Sequence, residues 1–272
     1  MIVRAIATAF RFLTIIPLRG KSEISEKDVY SSAAYFPLIG ALQGLFLAFL
    51  AYIFPKIMSA EIAAAFVLSL YVLITGGFHQ DGLSDTFDAL SVKSSGDREK
   101  DMEKRLRVMK DSTIGPIGVI ATVLFLLLKY LFMKEILLDN QTDGYVLFFL
   151  MPVFSKWAMV TVMYHSVSAR TDGIGRTFLE HVGPKQVGLA TVILTAFLAG
   201  WGLFRYFIWN SPEQWIVLYV LFFFFEAVLI LFISFILKRL FALRFGGLTG
   251  DNFGAIHEIA EIAFLVTAIL AQ

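Results

Sequence analysis

The chain has 272 residues, of which 58% are hydrophobic and only 17% charged, with 28 phenylalanines. An ordinary soluble domain carries about 25% charged residues; a mean hydropathy of +0.75 leaves more apolar surface than a soluble fold of this size can hide, and it excludes disorder as well. The 23 basic and 22 acidic residues nearly cancel, giving no reason to expect nucleic acid as a partner, and the absence of cysteine excludes disulfides, thiolate catalysis and zinc–thiolate sites.

Residues 1–28 read as a lead-in. Ile6, Phe10 and Leu13 fall on one helical face, with Arg4 and Arg11 elsewhere. That pattern fits a helix lying in the membrane interface, and equally a short buried helix leading into the first span. Arg11 interrupts any signal-peptide core. A spanning helix needs roughly 20 mostly apolar residues. Seven candidate runs follow: Val29–Pro55, Ile62–Phe78, Ser112–Leu128, Gly144–Ala169, Gln186–Phe204, Gln214–Leu237 and Ala255–Gln272. The expected fold class is all-α, a polytopic helical bundle in the lipid bilayer, with residues 1–272 forming one integral membrane domain.

With seven spans, the N-terminus shares a side with the loops at about 79–111, 170–185 and 238–254. Eighteen of the 23 basic residues fall on that side, Arg19 and Lys21 among them; Lys56, Lys129, Lys134 and Arg205 fall opposite, and Lys156 within a span. Basic loops stay in the cytoplasm, so the N-terminus and these three loops are expected there.

Three cytoplasmic-side segments differ from ordinary loops. The first, Gly76–Asp88, spaces Asp81, Asp85 and Asp88 at i, i+4 and i+7, an arc of roughly 60° on a helix. Carboxylates on one face repel unless a cation lies among them. Magnesium takes oxygen ligands, commonly one or two carboxylates plus substrate phosphates. The array therefore suggests a divalent metal holding a phosphorylated substrate; a solvated acidic face is the bland reading. Gly76, Gly77 and Gly82 would let backbone approach a ligand closely. The second segment, Met109–Gly118, offers Lys110, Asp111 and Ser112. Asp111 and Ser112 either cap the helix that Pro116 opens, or Asp111 and Lys110 face metal and phosphate. The third, Gly246–Glu258, places Asp251 and Glu258 on one helical face, with Glu261 beyond. Ionisable groups at membrane depth are functional candidates; both glutamates at headgroup level in water is the alternative.

Other polar residues read more plainly. His79 and His257 are isolated and read as structural hydrogen-bonding groups. Arg170 and Arg176 carry forked donors suited to phosphate. Glu226 and Lys156 read as an ion pair across two spans. Between Ser94 and Lys110, Met102, Leu106 and Met109 recur on one face of a charged helix suited to the membrane surface, after a Ser94-Ser-Gly96 hinge.

Together these segments resemble the cobalamin-5'-phosphate synthases, or adenosylcobinamide-GDP ribazoletransferases. The family pattern G-G-x-H-x-D-G-L-x-D-T-x-D-G is followed by Gly76–Asp88, with Ala89 where Gly is usual. M-K-D-S-R-I-G is similar to Met109–Gly115, with Thr113 in place of Arg, which puts one basic phosphate contact in question. A-R-x-x-G-[LI]-G resembles Ala169–Gly175, and G-G-x-T-G-D-x-x-G-A-x-x-E resembles Gly246–Glu258. Phe12–Pro17 and Phe36–Gly40 also look like the family.

The resemblance implies a magnesium-dependent transferase of the cytoplasmic membrane. A ribose hydroxyl of α-ribazole, or of its 5'-phosphate, attacks the cobinamide-side phosphorus of adenosylcobinamide-GDP. GMP leaves, and adenosylcobalamin or its 5'-phosphate forms. On this reading Asp81, Asp85, Asp88 and Asp251 hold Mg²⁺. Asp81, Asp85, Asp111 and Glu258 are the catalytic acids, and His79, Lys110, Ser112, Arg170 and Asn252 bind substrate. One rival is a CDP-alcohol-type membrane phosphotransferase, whose longer D-G-x-x-A-R spacing the run Asp81–Asp85 does not follow. The other is a polytopic transporter, whose internal repeats are absent here. A homo-oligomer is compatible with each.

Overall fold

The computed structural model describes residues 2–18, 24–139, 144–208 and 212–271; Arg19 and Lys21 of the orientation count lie outside these, as does Gln272. The described residues form twelve α-helices. They are α1 (Ile2–Leu13), α2 (Glu26–Ser32), α3 (Phe36–Ile53), α4 (Ala60–Thr75), α5 (Phe78–Leu90), α6 (Arg98–Lys110), α7 (Pro116–Leu138), α8 (Gly144–Met163), α9 (Ile174–His181), α10 (Pro184–Phe207), α11 (Glu213–Phe245) and α12 (Gly250–Leu270). Six units are long and apolar enough to cross a membrane: the run Glu26–Lys56 built on α2 and α3, then α7, α8, α10, α11 and α12. A seventh exists if α4 and α5 count together, and that pair is bent by 86°. The protein is an all-α, multi-pass membrane protein, as the apolar runs predict.

The bend corrects the second expected span. The helix stops at Thr75, because Gly76 and Gly77 both sit in the left-handed region, at φ 68° and 69°. That region costs an ordinary residue roughly 1–2 kcal/mol. At Gly76 a Cβ would also lie 2.4 Å from Ile15 Cγ2. The two glycines turn the chain so that α5, with its aspartates, lies across the direction of α4.

Helix α8 forms the centre and is buried along nearly its whole length. Lipid tails are as apolar as leucine, so helix association in a bilayer rests on close packing of small residues. Gly40 and Gly44 supply this on α3. A Cβ at Gly40 would stand 2.4 Å from the Pro152 carbonyl oxygen, and one at Gly44 2.0 Å from that of Phe149. Helix α12 packs on α5, α7, α8 and α11, while α10 and α11 turn most of their surface outward.

The lead-in helix takes something from both readings. α1 buries Ala5, Thr8, Ala9 and Leu13, yet leaves Ile2 and Val3 exposed. Its end is tied down by Gln43 Nε2, which donates to the Leu13 carbonyl at 2.8 Å. The charged helix α6 leans on the end of α11, where Arg105 donates to the Arg244 carbonyl at 3.2 Å. The expected hinge before it is fastened instead: the Ser95 N–H and hydroxyl each donate to Asp101 at 2.8 Å, and the Ser94 hydroxyl donates to the same carboxylate.

The third span is longer than its sequence run. α7 continues through Lys129 to Leu138, and Lys129 is wholly buried. It therefore leaves the opposite side of the orientation count, where Lys56, Lys134 and Arg205 remain.

Candidate active site

The site begins where α5 crosses α12. Gly82 and Gly254 allow the approach: a Cβ at Gly82 would lie 2.7 Å from the Asp251 carbonyl oxygen, and one at Gly254 2.9 Å from that of His79. Asn252 locks the crossing. Its Oδ1 accepts from the Thr249 N–H at 2.9 Å, and its Nδ2 donates to Thr86 Oγ1 at 3.1 Å. Buried and doubly engaged, Asn252 acts here as the clamp and N-terminal capping partner of α12.

The crossing sets Asp251 beside the acidic face of α5. Asp85 feels the charges of Asp81, Asp251 and Asp88, with Arg170 as the countering cation. Arg170 Nη2 stands 2.8 Å from Asp251 Oδ2. Its segment is pinned to the start of α12 by an isolated bridge, in which Ala169 N–H donates to the Leu248 carbonyl at 2.9 Å and Leu248 N–H to that of Val167 at 2.8 Å. Gly247 has no room for a side chain, since a Cβ would meet the Val167 oxygen at 2.6 Å. Three segments distant in sequence thus deliver Asp81, Asp85, Asp251 and Arg170 to one place. Among the described residues, the Asp81 and Asp85 side chains make no hydrogen bond or ion pair, so their oxygens are free for a ligand.

Other predicted residues stand apart. Asp88 caps α7: its two oxygens accept from the backbone N–H of Gly115 at 2.7 Å and of Gly118 at 2.8 Å. The cap predicted for Asp111 and Ser112 is therefore made from across the chain, by Asp88. Asp111 is exposed and accepts from Thr113 N–H at 3.0 Å and its hydroxyl at 2.5 Å, which holds its carboxyl below the usual range. Ser112 is exposed. Lys110 is also exposed and pairs with Asp172 at 3.2 Å, tying the second segment to the Arg170 segment.

Glu258 lies two helical turns from Asp251 and belongs to a separate, wholly buried polar network. Lys129 Nζ sits 2.7 Å from Glu258 Oε2 and 2.5 Å from Glu261 Oε2. Gln80 donates to Glu258 Oε1 at 3.1 Å. Tyr71 and Ser155 donate to Glu261 Oε1 at 2.5 Å and 3.2 Å. Lys156 Nζ lies 3.1 Å from His257 Nε2, not beside Glu226, which instead accepts from the Thr267 hydroxyl; the expected Glu226–Lys156 pair does not form. Nor are the histidines isolated, since the rings of His79 and His257 stack at 3.7 Å. His257, Glu258 and Glu261 offer ligand atoms within 4.8 Å of one another, but the Lys129 ammonium already fills the cation's place between the two carboxylates. Sequence reading missed Tyr71, Gln80 and Lys129; their signal was a polar residue within or beside an apolar run.

Relatives were found along the full length. The chain is 40% identical over 264 residues to an adenosylcobinamide-GDP ribazoletransferase of Thermodesulfovibrio yellowstonii, covering 97% of this chain and 95% of that protein. It is 34% identical over 271 residues to the protein of that name from Caldanaerobacter subterraneus, covering 98% and 99%. A Pseudomonas syringae protein, also so named, is 34% identical over 268 residues, covering 96% and 97%. No solved structure matches. The family described as cobalamin-5-phosphate synthase matches residues 5–269, and the chain belongs to it.

Proposed function

We propose that this chain joins adenosylcobinamide-GDP to α-ribazole, or to its 5'-phosphate, and releases GMP. The observation that carries the reading is the meeting of Asp81, Asp85, Asp251 and Arg170 from three separate segments. The names of the relatives supply the substrates. A ribose hydroxyl oxygen forms a bond to the cobinamide-side phosphorus while the bond from that phosphorus to the oxygen of GMP breaks. The electron pair leaves on GMP, and the hydroxyl proton passes to a carboxylate of the site.

Such a displacement needs charge neutralisation and in-line positioning more than a covalent nucleophile. Arg170 meets the diphosphate with a forked donor while still orienting Asp251. Asp81 and Asp85, without protein partners, are the acids available for the proton; Asp111, exposed and engaged with Thr113, is less suited. The donor set fits Mg²⁺: it is all oxygen, and its negative charge exceeds what Arg170 balances. Asp81 and Asp85 would hold the ion, with Asp251 at its edge. When bound, magnesium supplies charge neutralisation to the diphosphate. Asp88 and Glu258 serve as the cap of α7 and as part of the buried network.

The basic-residue asymmetry supports a cytoplasmic position for this end of the bundle, where nucleotide substrates are, and the family resemblance supports the cytoplasmic membrane. The acids without a cation partner, Asp81 and Asp85, lie at one end of the bundle, and the deeper Glu258 and Glu261 are held by Lys129, which speaks against a transporter path. Purified protein incubated with magnesium, adenosylcobinamide-GDP and α-ribazole 5'-phosphate should release GMP. No GMP there, with CMP released from a CDP-alcohol instead, would overturn the proposal.

A further inference from the structure

We infer that the carboxylate ridge of α5 separates two binding cavities, one for each substrate: the guanosine diphosphate end lodges on the α9 side and the aromatic base of the riboside on the α7 side. The assignment rests on the proposed reaction and adds to it where each partner sits.

The cavity on the α9 side has a volume of about 630 Å³ and is lined by Arg170, Arg176, His165, Ser168 and Thr171 among others. Its lining carries two guanidiniums and one carboxylate: Arg176 pairs with Glu180 at 2.7 Å, and Arg170 reaches out of the lining to Asp251 at 2.8 Å. Its wall includes His165, the one described non-glycine residue in the left-handed region, at φ 51°; such backbone strain concentrates at ligand sites. Two cations with surrounding hydroxyls suit a diphosphate and a polar purine.

The second cavity, of about 540 Å³, lies between the start of α5 and α7. Phe78, Ile114, Val119 and Val123 give it an apolar wall, with Gln80, Asp81 and Ser84 at its polar edge. Its lining contains no cation. A flat, uncharged aromatic base suits it, and both volumes fall in the range of about 300–1,000 Å³ usual for small-molecule sites.

The ridge links the two linings through Asp251. Asp81 lines the α7-side cavity, whereas Arg170, which lines the other, touches Asp251, itself packed on Gly82. On α5, Asp81 and Ser84 turn toward α7, Gly82 and Thr86 turn toward α12, and Asp85 lies between. An in-line displacement requires the attacking and leaving oxygens on opposite sides of phosphorus. Cavities flanking one row of carboxylates provide that arrangement: the ribose hydroxyl arrives from the α7 side, and GMP departs on the α9 side.

The test measures KM for each substrate in V123W, which fills the α7-side cavity, and in R176Q, which removes a guanidinium from the other. V123W should raise the KM for α-ribazole about tenfold or more and move that for adenosylcobinamide-GDP little, and R176Q should do the reverse. V119W replaces V123W if the latter does not accumulate, and R176K replaces R176Q on the same terms. Binding of GMP to the purified protein should weaken in R176Q and not in V123W. A wild-type protein that releases no GMP sinks the reaction itself. An active wild type whose two variants raise the same KM, or raise them in the opposite order, overturns the cavity assignment alone.

Discussion

Replacing Lys129 by Met tests the buried network most directly. In the wild type, two ammoniums, Lys129 and Lys156, stand against two carboxylates, Glu258 and Glu261, all wholly buried. Lys129 touches both acids, at 2.7 Å and 2.5 Å. Methionine fills a similar volume but leaves two carboxylates against one ammonium at a wholly buried position. Breaking a buried pair by removing one partner costs about 3–5 kcal/mol. The variant can limit that cost by protonating one acid. For an ordinary glutamate, with a pKa near 4.3, proton uptake at pH 7 costs about 4 kcal/mol, at 1.36 kcal/mol per pH unit. The expected loss is therefore about 3–4 kcal/mol at pH 7. It should shrink by about 1.4 kcal/mol for each unit the pH falls toward 5, because the variant's folded state holds the extra proton. K129M/E258Q should recover more than half of the loss, since Gln can still hydrogen-bond Gln80. Unfolding in mixed detergent–SDS micelles, followed by tryptophan fluorescence at two pH values, measures each quantity. A variant that unfolds at the wild-type SDS fraction, or whose deficit is the same at both pH values, would refute the ion-pair argument.

Asp81→Asn and Asp85→Asn should each lower GMP release by about a hundredfold or more with unchanged SDS unfolding, and should weaken Mg²⁺ binding in a direct titration; near-wild-type turnover would remove both from the site. Asp88→Ala leaves the Gly115 and Gly118 N–H groups without their acceptor and should cost about 1–2 kcal/mol of stability. If it instead changes only the magnesium requirement, Asp88 is a ligand after all. Gly44→Ala puts a methyl 2.0 Å from the Phe149 oxygen; forcing α3 and α8 apart should cost about 1–3 kcal/mol, and unfolding at the wild-type midpoint would show that the helices do not pack through this glycine.

Much of the bundle is written in the apolar runs, because a bilayer demands about 20 such residues per crossing whatever the helix packs against. The bend at Gly76–Gly77 escaped that reading since Phe78 prolongs the apolar run past the turn; hydropathy does not register φ. Lys129 was placed at the end of a span because a lone charge resembles a boundary. What makes it tolerable inside is Glu258, 129 residues further on, a pairing that no local pattern carries. Asp81, Asp85 and Asp88 share an arc in sequence, but only the fold reveals that two backbone amides at the start of α7, those of Gly115 and Gly118, claim the third. Asp251 and Arg170 were legible as chemistry and not as neighbours, because the bridge between Ser168 and Leu248 joins loops whose sequences show no strand pattern.

The distribution of charge among the spans bears on how the chain is made. α7 and α8 leave the ribosome with Lys129 and Lys156 in mid-helix, and each such ammonium disfavours insertion by about 2.5–3.5 kcal/mol at the helix centre. Their counter-charges reside on α12, which is synthesised after both. Until α12 arrives, the ammoniums of α7 and α8 lack the carboxylates that neutralise them in the folded chain. A nascent chain truncated before α12 is accordingly an unfinished product and a natural substrate for membrane quality control.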